Sequence, residues 1–135
     1  MRTLPAAALV AISCLLPAAP PPSAAPLDSS TPLLCALNSV LECARRGNCE
    51  RTNTDEAEIP AFVQINLPKK ILSSVDGKRT SPITSVNRAN GRLMIQGMQN
   101  ERVWGAVVDE ETGLMSATVS EAEGAIVITG ACLAQ

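Results

Sequence analysis

Histidine is absent from this 135-residue chain, while cysteine occurs five times. Those two facts bound its chemistry before any motif does. A serine or cysteine nucleophile of the triad type needs an imidazole base, and there is none. A Ser-Lys pair is the remaining nucleophilic option, and Ser73, Ser74, Lys69 and Lys70 lie close enough in sequence to offer one. No surrounding motif supports it, and exposed loop residues explain the same four positions. Asp109, Glu110 and Glu111 form an acidic triplet. Paired carboxylates can serve as acid and base on glycosides. Placed before Thr112-Gly113, these three read better as a solvated turn. A calcium loop would need further ligands at EF-type spacing, which this stretch lacks.

Four cysteines, Cys35, Cys43, Cys49 and Cys132, lie beyond the N-terminal apolar region. An even number in an exported chain implies disulfides. Three pairings are open to four cysteines. Cys43 and Cys49 flank Ala-Arg-Arg-Gly-Asn, a turn-like insert, so a local bridge is expected there. Cys35 and Cys132 then tie the first element of the domain to the last. A zinc site would need all four as thiolates near one point, but Cys-x5-Cys is not a zinc-knuckle spacing and no histidine helps. The sequence calls for no metal and no other cofactor.

Arg102 and Trp104 are two residues apart, so on a strand they share a face. With Arg92 they could form a binding patch, because Trp and Arg dominate binding hot spots. The plainer alternative is an arginine lying over the indole, with no partner involved. Charge is segregated along the chain. Residues 69–102 hold seven basic and two acidic side chains, while 109–135 hold five acidic and no basic ones. Cross-strand pairing is the simple explanation. A basic patch for an anionic envelope component is the sharper one. The net charge of −2 argues against a general grip on nucleic acid.

The elements that must position these residues read as short strands. From Ser81 to Cys132, turn signals fall at Asn90-Gly91, Met98-Gln99-Asn100, Glu110 to Gly113 and Glu123-Gly124. The segments between them have strand length and alternate apolar with polar residues, as in an antiparallel meander. Upstream, Ile59 to Leu67 alternates, with Pro60 at its start, and Ile71 to Val75 ends at a hairpin-type Asp76-Gly77. Ala125 to Thr129 is almost continuously apolar, as in a strand covered on both faces. Arg51 to Glu58 has no period and reads as a loop. Leu33 to Ala44 is ambiguous. Leu33, Leu37, Val40, Leu41 and Ala44 fit one helical face after a Thr31-Pro32 start, whereas the Cys43–Cys49 insert suits a stapled hairpin. The whole predicts a mostly β, disulfide-stapled domain. Its form is an antiparallel meander of about seven or eight short strands in a closed or half-closed small barrel. With one Phe, one Trp and no Tyr, its core must be aliphatic.

The N-terminus reads as an export signal: Met1-Arg2, an apolar run from Leu4 to Leu16, then small residues and prolines. The run is too short to span a bilayer. We assign residues 1–19 to the signal, with cleavage as late as residue 25, residues 20–32 to a Pro/Ala-rich disordered leader, and 33–135 to a single β domain. Ala11-Ile12-Ser13-Cys14 also matches a degenerate lipoprotein box, which would anchor the chain through Cys14.

Cys35, Glu42-Cys43, Gly47-x-Cys49, Leu93-x-x-Gln96-Gly97, Arg102-x-Trp104, Glu111-Thr112-Gly113 and Gly130-Ala131-Cys132 together resemble small exported proteobacterial proteins of uncharacterised function. The resemblance implies export, disulfides and a compact mostly β domain, favours the hairpin over the helix at Leu33–Ala44, and offers no activity. The expected function is therefore an exported domain, periplasmic or secreted, that is non-catalytic. It binds or stabilises a cell-envelope component, either an anionic one or an envelope protein. The alternative is a small hydrolase with a carboxylate-only or Ser-Lys site.

Overall fold

The computed structural model describes residues 26–28 and 30–135. The export signal, its cleavage region and Cys14 lie outside those residues. The regular elements described are all strands. They are β1 (Leu33–Ala44), β2 (Cys49–Thr52), β3 (Phe62–Asn66), β4 (Ile71–Ser74), β5 (Thr80–Ala89), β6 (Arg92–Gln99), β7 (Arg102–Asp109), β8 (Leu114–Glu121) and β9 (Gly124–Ala134). Eight of them pair antiparallel in the order β1-β3-β4-β5-β6-β7-β8-β9, and β9 pairs back onto β1. The barrel is closed. The ninth strand, β2, is added outside it as a hairpin on the far half of β1. The barrel's eight strands agree with the seven or eight expected; the extra strand takes Arg51 and Thr52 from the stretch read as a loop. The surplus is Cys49–Thr52, which is polar and nearly all exposed, so no alternation marks it. Short and charged, β2 makes a poor template for edge-to-edge pairing.

β1 makes closure possible. Leu33 to Ala36 run between β3 and β9, and Val40 to Cys43 run between β2 and β9. The change of neighbour coincides with a register shift between Leu37 and Ser39. One extra residue there moves the inward-facing positions from odd to even numbers, so Leu33, Cys35 and Val40 are all buried. The helical alternative for this stretch is thereby overturned. Its apolar spacing belongs to a strand with a bulge, and the Cys43–Cys49 hairpin is present.

Tight turns join the later strands. Asn90 and Gly91 both have positive φ, 53° and 72°, as a two-residue primed hairpin turn requires. The barrel interior holds two packed groups. The larger includes Leu33, Ile65, Leu93, Ile95 and Val108, and the smaller is Val40, Ile126 and Ile128. Leu37, Ala117 and Val119 touch both. The apolar run near the C-terminus does not make a strand covered on both faces. Ile126 and Ile128 are buried inward, Val127 is half-buried and Thr129 is exposed, because each strand of a closed barrel keeps one face toward solvent.

At the end where β1 begins, the chain before Leu33 is held to the barrel. Leu27 packs against the core, and its N–H donates to the Glu110 carbonyl at 2.9 Å. The Gln135 N–H donates to the Pro32 carbonyl at 3.0 Å. The folded region therefore reaches back past the Leu33 boundary that composition suggests. The opposite end carries the β2–β3 loop and the β4–β5, β6–β7 and β8–β9 turns.

Both expected disulfides are present, each between residues directly opposed on neighbouring strands. Cys35–Cys132 lies inside the barrel on the β1–β9 seam, and Cys43–Cys49 lies on the β1–β2 hairpin. Their sequence separations are 97 and 6 residues. Chain-entropy reasoning assigns about 4.7 kcal/mol to the long loop and about 2.2 kcal/mol to the short one. Paired alanine substitution of Cys35 and Cys132 should therefore lower Tm by at least about 10 °C more than the same change at Cys43 and Cys49. Differential scanning calorimetry of the two double variants checks the ranking. Equal losses would show that the seam bridge contributes no more than the hairpin bridge and that loop length does not set the ranking.

Candidate functional site

Trp104 is the one large aromatic turned into the barrel, and its surroundings define the end away from Leu27. The residue is 8% exposed, and its indole Nε1–H donates to Ser81 Oγ at 2.7 Å. That bond satisfies the donor that burial would otherwise leave unpaired. Directly across the ladder from Trp104 stands Gly97. A Cβ there would come within 2.3 Å of the indole and of the Pro82 carbonyl. The ring thus lies over bare backbone, which is why glycine is needed in mid-strand.

Arg102 follows the same face toward the rim. Its Nε is 2.6 Å from Glu121 on β8, with both side chains partly exposed. Across the opening, the Arg79 guanidinium donates to the Glu58 carbonyl of the β2–β3 loop. That loop is folded by its own bonds. Asn53 Oδ1 accepts from the N–H groups of Asp55 and Glu56, and the Ile59 N–H donates to the Thr54 carbonyl at 2.9 Å. It lays Ile59 and Pro60 over the barrel end.

Two adjoining spaces lie beneath this roof. The deeper one, about 130 Å³, lies between the two packed groups and is lined by apolar residues that include Leu37, Ala106, Met115 and Ala117. The outer one, about 200 Å³, is a mouth bordered by Arg79, Arg102, Gln99 and Ser81. Ile59, Pro60, Val63, Leu72, Trp104 and Val119 line both, so the mouth and the apolar depth adjoin and share walls.

The expected patch is partly assembled. Arg102 and Trp104 do share a face at the mouth. Arg92 does not join them: it opens β6 at the Leu27 end, opposite Asp109 in the ladder, whereas Arg102 is opposite Gln99 at the other end. The seven residue steps from Arg92 to Gln99 span about 23 Å of strand. Arg79, Ser81 and the Ile59-Pro60 roof were not singled out in the sequence. Ser81 alternates with Ile83 on one face, and a hydroxyl at an inward position was the available signal. Arg79 precedes β5 and Arg102 opens β7, so the β5-β6-β7 meander brings both to one end, and the curl of the sheet turns them toward one mouth.

Of the residues considered for catalysis, Ser74, Asp109 and Glu110 have structural roles. Ser74 Oγ donates to Asp76 Oδ1 at 2.5 Å and accepts from the Arg79 N–H at 3.0 Å, closing the β4–β5 turn. Lys69 and Lys70 lie before β4 and Ser74 ends it, roughly 13 Å away along the strand. Asp109 Oδ1 accepts from the Thr112 N–H and hydroxyl, both at 2.9 Å, and Glu110 pairs with Arg88 at 2.9 Å. The Arg88–Glu110 and Arg102–Glu121 pairs join the basic and acidic segments between nearby strands, as expected from charge segregation. The two disulfides suit an oxidising compartment. Among the described residues no helix is long and apolar enough to cross a membrane.

Substituting Gly97→Ala should push the indole off the ladder and cost about 1–3 kcal/mol. Denaturant unfolding measures the loss, and Trp104 emission should shift to the red with it. Unchanged stability and emission would mean that the ring has room to spare.

The turn carboxylates also set the acid limit. The Ser74 hydroxyl, then the Lys78 N–H, hold Asp76 below its ordinary 3.8. The Thr112 N–H, then its hydroxyl, do the same for Asp109. A lowered folded pKa contributes stability that is complete above the unfolded value and lost as pH falls through the folded one. No histidine titrates between these carboxyls and neutrality. Tm should hold nearly level from about pH 7 to 5 and fall below about pH 4. A calorimetric pH series checks this, and a steep fall between pH 6 and 5 would contradict it. No family model, curated protein or solved structure matches the chain.

Proposed function

We propose that this is an exported, non-catalytic binding domain, periplasmic or secreted, that holds or stabilises a component of the cell envelope at the open end of its barrel. One observation carries the reading: a mouth rimmed by Arg79 and Arg102 adjoins an apolar depth, and Trp104 lines both. Small-molecule sites are typically concave and mostly apolar, with a few placed polar groups. An eight-stranded barrel has an interior just large enough to be filled by side chains or to hold one small ligand. Here the side chains leave part of it unfilled.

Export rests on the charged, apolar and small-residue order at the N-terminus and on the two disulfides. Anchoring through Cys14 is the variant of this reading in which the signal ends in a lipoprotein box. The hydrolase alternative has less support, because Ser74 is bonded to Asp76 and the acidic triplet is used in a turn and an ion pair.

Thermal-shift measurements on the mature, oxidised protein test the proposal. The probes are peptidoglycan fragments, vesicles of anionic phospholipid, and purified envelope proteins. A saturating ligand should raise Tm by about 5 °C or more. No rise with any of them would count against envelope binding. A hydrolytic activity lost in Ser74→Ala would reverse the assignment.

A further inference from the structure

We infer that the barrel mouth takes a small amphiphilic anion. An apolar group of about benzene size enters beside Trp104, and a carboxylate remains at Arg79 and Arg102. This rests on the binding reading above and names the chemistry of its ligand.

Size is the first argument. The depth of about 130 Å³ lies among aliphatic side chains and the indole, and polar atoms contribute nothing to its surface. An apolar cavity of about 150 Å³ in another protein stays dry and binds benzene. A benzene-sized ring or a chain of about six carbons is therefore accommodated. A long acyl chain is not, because the main packed group, with Ile65, Leu93 and Val108, fills the barrel below.

The second argument is the character of the rim. Among the side chains bordering the mouth, Arg79 and Arg102 are cationic and Glu58 is anionic. The Arg79 guanidinium is held by a neutral backbone carbonyl, that of Glu58; its charge is felt by the Asp76 carboxylate, but the two form no salt bridge, so its donors can still face an incoming acid. Arg102 donates to Glu121 through Nε, so its terminal nitrogens remain as donors. Guanidinium forks match carboxylates in geometry as well as charge. Gln99, whose amide donates to the Thr80 carbonyl, and Ser81, engaged by the indole, add polar groups between them.

Depth and rim together specify one end apolar and one end anionic. A neutral alkane would leave the arginines unused, and a fully polar anion would leave the apolar depth unfilled. Trp104 borders both spaces, so it reports on occupancy.

The test uses the mature, oxidised protein and follows Trp104 emission during titration. The probes are hexanoate, benzoate, hexanol and palmitate. Hexanoate and benzoate should each give a saturable change, and hexanol should bind about tenfold or more weakly, the scale of a lost charged hydrogen bond. Arg79→Gln and Arg102→Gln should each weaken hexanoate while leaving hexanol unchanged. Ala117→Leu, whose side chain grows into the depth, should abolish both, with circular dichroism confirming the fold. Equal affinity for hexanoate and hexanol would overturn the anionic rim. Palmitate binding tighter than hexanoate, or no saturable response to hexanoate or benzoate, would overturn the inference. If Ala117→Leu lost hexanoate but kept its stabilisation by an envelope component, the envelope reading would stand and the ligand class would fail as its explanation.

Discussion

Everything in this fold depends on β9 finding β1. The two strands pair from Leu33 opposite Ala134 to Ala44 opposite Gly124, and that ladder turns an open sheet into a barrel. It joins nearly the first and last folded residues, so it carries the largest loop-closure cost in the domain. Cys35 and Cys132 stand opposite each other on this seam and are bonded inside it. The bridge limits how far the seam can open in the unfolded chain. Closure then removes the exposed edges that eight short strands would otherwise present.

Aliphatic composition explains why closure leaves space. Large aromatics are efficient at filling a barrel, and this chain has two of them. Phe62 faces outward and is half exposed, which leaves Trp104 as the only one within. Trp104 needs Gly97 beneath it, so even that volume is fixed to one side of the interior. Valine, isoleucine and leucine pack the Leu27 end tightly, whereas the opposite end is bridged by Leu37, Ala117 and Val119. Alanine and valine are too small to close the gap between the two groups. The cavity follows from which residues occupy those inward positions, and the β2–β3 loop covers it from outside.

Much of this was legible from residue order. The turns of the β5 to β9 meander were marked by Asn90-Gly91 and by the acidic stretch before Gly113. Alternation identified Leu93, Ile95, Met115, Ala117 and Val119 as one-sided. The pairing of all four described cysteines followed from spacing. Other features were not legible, for definite physical reasons. The bulge after Leu37 gives β1 an apolar spacing that a helix shares, so periodicity alone could not decide there. β2 has no apolar face, because it packs against nothing inside. The opposite placements of Arg92 and Arg102 depend on the length of β6, and the approach of Arg79 to the mouth depends on the curl of the β5-β6-β7 sheet.

Charge segregation along the sequence has two outcomes in three dimensions. Some charges neutralise each other across strands, as at Arg88–Glu110 and Arg102–Glu121. Such exposed pairs contribute little to stability. Their greater effect is orientation. Glu121 holds Arg102 at the rim through Nε, and the Glu58 carbonyl holds Arg79 there from the other side. A flexible arginine loses side-chain entropy when it grips a ligand, and a tethered one has already lost part of it. The same loop that supplies the Glu58 carbonyl also supplies Ile59 and Pro60 to the roof. Polar rim and apolar depth are therefore mechanically joined. A displacement of this loop would change both together, so the loop's folding is part of the site itself.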